Sequence, residues 1–376
     1  MAEVFIAGGG VIGLSIAWRA AQRGFEVTVA DPAPGGGASH AAAGMLTPVS
    51  EAAYAEKELF ALGAASLQRY PDFAAELTAA TGLPTGFQVT GTLQVGFDRD
   101  DLAVLDELRV LQDSLGVPAQ QLTGRQCRRL EPMLDPSVRG GLLVEADGSV
   151  DPRQLTSALL AAVETCGVRV IRQPVTRIEG RTARLGDGTV AEADWVVLAA
   201  GWNSAQIEGL PLAAVPPVRP VKGQIVRLHG PAGFLNRSVR GVVRGSSVYL
   251  VPRADGELVV GATQEELGAD TRVTAGGLWE LLRDARTLVP GITELEFTEA
   301  VARLRPGTPD NGPVLGPCAV DGLVLATGHF RNGVLLTPVT ADVIAGYLQS
   351  GRWPEVAAHF TVERFGEPSV NSGDTA

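Results

Sequence analysis

At 376 residues, with 45% hydrophobic and 19% charged residues, the chain is long enough to bury a large core and to form two domains or one elaborate one. A formal charge of -11 and a pI near 5.0 set its net field against nucleic acid and anionic membrane as main partners. Cys127, Cys166 and Cys318 are scattered and form no CxxC pair, and the histidines are isolated, so a reducing cytoplasm and a site without metal are expected.

The apolar opening of the chain lacks a basic leader and is interrupted by glycines and by Arg19, which fits neither a signal peptide nor a membrane span. Residues 3–31, "EVFIAGGGVIGLSIAWRAAQRGFEVTVAD", offer a strand, a GxGxxG turn, a helix ending at Gly24, a second strand and an acid at its tip. This is the βαβ pattern of a nucleotide-binding unit. Gly8 allows the tight turn, Gly10 lets the backbone approach a pyrophosphate, Gly13 lets helix and strand pack closely, and Asp31 is placed to accept from a ribose.

A nicotinamide dehydrogenase would continue with further βαβ units, but "PAPGGGASHAAAGML" (residues 32–46) is a small-residue stretch with no strand pattern. Residues 167–201 read as short strands joined by a Gly-Asp-Gly turn and ending in an apolar strand before Gly201. Residues 245–263, "GSSVYLVPRADGELVVGAT", read as a hairpin around Ala-Asp-Gly. Late in the chain, "GLVLATG" (322–328) is a buried strand, and "TPVTADVIAGYLQSG" (337–351) is a helix with Thr337 as N-cap, Pro338 at the first helical position and Gly351 as terminator. Arg331 falls between this strand and this helix. Strands returning to the first sheet from so far along the chain predict a discontinuous nucleotide domain with a second domain inserted.

These motifs carry a resemblance. "IAGGGVIG", "AAAGML" (41–46), "VVLAAGWNS" (196–204), "PVKGQ" (220–224), "VYLVPRADGELVVGAT" (248–263), "LRPGTPDNGPVLG" (304–316) and "TGHFRNGVLL" (327–336) together resemble the glycine oxidase branch of the D-amino-acid oxidase superfamily, over nearly the whole chain. The resemblance implies an α/β fold, α+β overall. It consists of a Rossmann-like FAD-binding domain (residues 1–85, 146–215 and 300–365) and a substrate domain on a mainly antiparallel sheet (86–145 and 216–299), followed by a flexible tail (366–376).

By position, the resemblance implies FAD contacts at Gly8, Gly10, Val11, Ile12 and Gly13 in the glycine turn, and at Asp31 and Pro32 by the ribose. It adds Ala38 and Ser39, then Ala43, Gly44 and Met45 beside the flavin, Val175 on the adenine side, and Gly201. His329, Phe330, Arg331, Asn332, Gly333, Val334 and Leu335 would line the isoalloxazine. "ASH" stands where relatives often have a Thr/Ser run, which removes a hydroxyl at Ala38. Some superfamily members link the flavin to a Cys slightly before the TPD stretch; Arg303 occupies that neighbourhood here, so non-covalent FAD is expected.

An amino-acid substrate brings a carboxylate to be gripped and a Cα–H to be aimed, and a planar guanidinium suits the first task. Arg305, in a proline-flanked segment, and Arg331 compete for it. The family pattern places the clamp on Arg305, with the Tyr249 hydroxyl as second donor and the Arg331 carbonyl as acceptor for the substrate amine. For each of these three, an ordinary ion-pair or packing role is the alternative. No catalytic acid or base is required, because a neutral amine can lose hydride directly from Cα. Thr47, Ser247 and Gln264 depart from familiar glycine oxidases and make the pocket edge more polar, which leaves sarcosine, D-alanine and D-proline beside glycine as candidate substrates.

The expected reaction is oxidation of a small amino acid with dioxygen, giving imine or glyoxylate, ammonia and hydrogen peroxide, with thiamin thiazole synthesis as a use. A dehydrogenase passing electrons to a quinone or carrier, and a non-catalytic FAD-binding protein, are the alternatives. Family resemblance also implies a homo-oligomer.

Overall fold

The computed structural model describes residues 1–117, 119–243 and 245–366; the expected flexible tail, except Gly366, lies outside the described residues. Strands sort mainly into two sheets. The six-stranded sheet runs Val314–Pro317, Leu323–Thr327, Trp195–Leu198, Glu3–Ala7, Glu26–Ala30, Arg169–Ile171, and is parallel except for its first pair. The continuous apolar run Val4 to Ala7 suits a strand covered on both faces and explains its central place. Val4 and Ile6 pack under the helices Val11–Gln22, Lys57–Thr81, Pro152–Thr165 and Thr337–Ser350, while Phe5 and Ala7 face a three-stranded sheet of Val175–Glu179, Thr182–Leu185 and Val190–Glu192.

The eight-stranded sheet runs Glu296–Gly307, Arg219–His229, Glu257–Gly261, Ser246–Pro252, Ser238–Val243, Thr92–Gly96, Gly140–Val144, Gln120–Thr123. Every pair is antiparallel except Ser238–Val243 with Thr92–Gly96. Val226, Leu228, Val239, Leu250, Leu258 and Val260 face the helix Ala275–Leu288 on one side. Their alternates Ile225, Tyr249, Val251, Val259 and Val301 face Ala41, Ala43 and Met45 on the other. The small-residue stretch thus serves as a thin layer between the sheets: it forms the short helix Ala38–Ala41 and the strand Met45–Leu46, paired with Gly148–Ser149.

Two local expectations change. Arg305 lies inside the strand Glu296–Gly307, which is in register with Arg219–His229 from Glu296 to Gly307, so the expected boundary at residue 300 falls within a continuous strand of the eight-stranded sheet. Pro306 lies on the edge strand of the sheet, and its register partner Pro220 lies outside the Ile225–His229 span that pairs with Glu257–Gly261, which is where prolines are tolerated. Thr337 is the first residue of its helix and Leu336 its N-cap. The chain enters through a tight turn at Phe330–Asn332, so helical geometry is reached one residue early, and the Thr337 hydroxyl donates back to the Gly333 carbonyl at 2.9 Å. Gly351 ends the helix in the left-handed conformation, as expected. No helix among the described residues is long and apolar enough to cross a membrane.

Candidate active site

A cavity of about 1200 Å³ runs between the two sheets. At one end lies the glycine turn. A Cβ on Gly13 would stand 1.9 Å from the Gly8 carbonyl oxygen, so this residue does not line the cavity but lets helix Val11–Gln22 close on its strand. Gly8, Gly10, Val11 and Ile12 do line it, at a helix end that has no side-chain cap and no acidic residue in its first turn. The Val11 N–H donates to the Ser39 hydroxyl at 3.1 Å. Asp31 accepts from the Gly9 and Ala33 N–H groups, both at 2.7 Å, one on each oxygen, and still borders the cavity with Pro32. This helix end, whose N-cap Gly10 carries no side chain and whose first turn carries no acid, fits a dinucleotide phosphate. Ala38, Ser39, Ala43, Gly44, Met45, Val175 and Gly201 continue the lining.

At the middle, His329 to Leu335 form a turn against which the long helix Lys57–Thr81 is buttressed. The Tyr70 hydroxyl donates to the Val334 carbonyl and the Ser66 hydroxyl to the Leu335 carbonyl, each at 2.6 Å. Phe330 holds φ of 45°, a left-handed conformation costing about 1–2 kcal/mol for a side chain of this size. Burial pushes the His329 imidazole down to about 3, so it stays neutral, with Nε2 3.1 Å from the Thr340 hydroxyl.

The eight-stranded sheet contributes the charged wall. Arg305 has no carboxylate partner among the described residues; its Nη1 donates to the Thr263 carbonyl at 3.1 Å. The guanidinium lies over Gly223, where a Cβ would be 2.3 Å from Nη1. Tyr249 faces the same cavity beside it; burial raises its phenol, and the Arg305 charge only partly offsets this, so the hydroxyl remains a neutral donor. Arg331 borders the cavity but its side chain is committed to Glu56 and, at 3.5 Å, Glu51, leaving its backbone as the group offered inward. Thr47, Ser247 and Gln264 all line the space around these residues.

Sequence reasoning missed Arg240 and Glu51. Arg240 is directly opposite Tyr249 in the register and pairs with Glu51. Burial alone would raise the Glu51 carboxyl, but Arg240 and Arg331 outweigh it and hold it below the usual carboxylate range. The signal available was the alternation of "SVRGVV", which turns Arg240 away from the apolar face of Val239 and Val243. Behind the cavity, Asp147 is fully buried and accepts from the cavity-lining Ser50 hydroxyl, while its Oδ1 has no partner. Burial pushes its carboxyl up to about 7, the Ser50 hydroxyl offsetting only part of that.

A glycine turn, a helix N-terminus and a guanidinium without a carboxylate partner among the described residues, all in one cavity, agree with the comparison to known families, in which FAD dependent oxidoreductase matches residues 3–347. The chain belongs to that family. Among curated relatives, it is 36% identical over 371 residues to the bifunctional protein ThiO/ThiG of Synechocystis, covering 96% of this chain and 54% of that protein. The chain therefore spans about half the length of the bifunctional relatives it matches. Against the crystal structure of glycine oxidase from Geobacillus kaustophilus the TM-score is 0.89 at 32% identity, covering 97% of this chain and 99% of the other. The iminodiacetate oxidase of Chelativorans gives 0.84 at 28% identity, covering 95% and 98%.

Proposed function

We propose that this protein is an FAD-dependent oxidase of glycine and other small amino acids, with sarcosine, D-alanine and D-proline as further candidates. The observation that carries the proposal is Arg305: a guanidinium with no carboxylate partner among the described residues, seated on Gly223 beside the Tyr249 hydroxyl in the cavity. An amino-acid carboxylate supplies the missing anion, gripped by the guanidinium fork with Tyr249 as second donor. The Arg331 carbonyl accepts from the substrate amine, and desolvation in the cavity favours the neutral amine that the reaction needs. Bound FAD supplies the acceptor for the hydride leaving Cα.

The chain's own groups orient the substrate and exclude water. Neutral His329 and ion-paired Glu51 are not required as acid or base. The glycine turn, Asp31, Pro32, Ala38, Ser39, Ala43 to Met45, Val175, Gly201 and the turn 329–335 hold the cofactor in this reading. FAD is held without a covalent bond; none of Cys127, Cys166 and Cys318 borders the cavity. The product is an imine, hydrolysed to glyoxylate and ammonia, with dioxygen reduced to hydrogen peroxide. Its use in making the thiamin thiazole, a cytoplasmic location and assembly as a homo-oligomer belong to the same proposal; the ThiO/ThiG relatives support the first.

Anaerobic addition of glycine should bleach the yellow protein, and admitting air should restore the colour with stoichiometric peroxide. Bleaching without rapid recolouring would replace the oxidase with a dehydrogenase, and no bleaching by glycine, sarcosine, D-alanine or D-proline would overturn the proposal.

A further inference from the structure

Arg240, Arg303, Arg305 and Arg331 all line the cavity. Arg240 and Arg331 find counter-ions within the protein, on Glu51 and Glu56. Arg303 and Arg305 have no carboxylate partner among the described residues. They stand two apart on Glu296–Gly307, so the pleat turns both toward the cavity, roughly 6–7 Å apart along the strand. A partly buried cation without a counter-ion is unfavourable, so two such cations in one cavity call for two anionic groups. The substrate carboxylate answers for Arg305.

Arg303 is directed to a different place. Its Nε donates to the Gly36 carbonyl at 3.0 Å and its Nη1 to the Ala302 carbonyl at 2.9 Å. Its Nη2 makes no hydrogen bond to the described residues and is not a buried orphan, so it remains accessible. Gly36 belongs to the loop whose Gly35 N–H donates to the Gly9 carbonyl at 2.8 Å and whose Ser39 hydroxyl meets the Val11 N–H. The tether therefore carries the guanidinium from the eight-stranded sheet to the loop packed on the uncapped end of helix Val11–Gln22. Ala38 offers no hydroxyl in that loop, and a helix end contributes only partial charge.

The geometry points to Arg303 as the full positive charge that holds the pyrophosphate of the dinucleotide, reaching it from the opposite sheet. The inference rests on the assignment of FAD to this cavity. A second consequence is that the cofactor ties the two sheets together through this one side chain, in addition to any contact with the flavin.

Apoprotein of the wild type, Arg303→Gln and Arg303→Met would be titrated with FAD and with ADP, which carries the pyrophosphate without the flavin, at low and high salt. Melting curves of the apoproteins control for folding. Both ligands should bind about 10- to 100-fold more weakly to the variants, the loss expected for a charge-assisted contact, and the gap should narrow at high salt. Unchanged affinities, or a loss for FAD with none for ADP, would overturn the inference, the latter by moving Arg303 to the flavin end. Salt-independent ADP binding by the wild type overturns it without any variant. Failure of the wild type to bind FAD sinks the cofactor assignment and the inference with it, whereas normal FAD binding with unaffected variants sinks the inference alone.

Discussion

Counter-ions divide the arginines of the cavity, and they decide what each substitution does. Arg305→Ala should leave FAD bound and raise the glycine KM by about 10- to 100-fold, as a charge-assisted contact worth roughly 1.5–3 kcal/mol is lost; steady-state peroxide assays check this, and an unchanged KM would sink the clamp. Tyr249→Phe removes one neutral hydroxyl and should cost roughly 0.5–1.5 kcal/mol in the same assay. Asp147 titrates differently in the folded protein: its carboxyl is raised to about 7 by burial. A raised acid stabilises the fold fully below its ordinary unfolded value near 4, and that contribution declines as pH rises through about 7. Asp147→Asn should therefore gain stability relative to the wild type between pH 5 and 8, on the order of 3 kcal/mol at most, read as a widening difference in Tm; a constant difference across that range would refute it.

Elements position these residues, and they set how much could be read in advance. The opening βαβ unit was legible because its glycines, apolar alternation and acid all lie within thirty residues, and local sequence alone determines them. The hairpin around residues 253–256 and the strand Leu323–Thr327 were legible for the same reason. Arg240 was not, because its neighbours Tyr249 and Glu51 are brought to it by strand register and by a distant segment. Nor was the lack of a carboxylate partner for Arg303 and Arg305 among the described residues, since only the folded cavity shows which carboxylates fail to reach them. The boundary at residue 300 failed because the motif that carries Arg305 is also one continuous edge strand. Helix Lys57–Thr81 holds the turn 329–335 by two side-chain hydroxyls. Tyr70→Phe leaves the buried Val334 carbonyl without that donor and should cost roughly 1–3 kcal/mol in urea unfolding, with faster release of flavin seen as rising fluorescence; an unchanged release rate would mean that the helix does not support the cofactor turn.

At the scale of the whole molecule, the cavity belongs to neither sheet alone, so cofactor and fold are linked. Removing FAD should lower Tm, and adding free FAD at about a hundred times Kd should restore roughly 2.7 kcal/mol, read by calorimetry; equal melting of apo and holo forms would show that the cofactor adds nothing to the fold. The same interleaving has a consequence during synthesis. Glu3–Ala7 is made nearly two hundred residues before its neighbour Trp195–Leu198, and Leu323–Thr327 comes later still. At ordinary elongation rates the opening strand waits roughly ten to forty seconds with one parallel edge bare. Its glycine turn exists long before Gly201, Arg303 or the turn at 329–335 leaves the ribosome. A cavity with Gly201, Arg303 and the turn 329–335 all in place therefore exists only after most of the described chain has been made, and the opening strand keeps its bare edge for much of that interval.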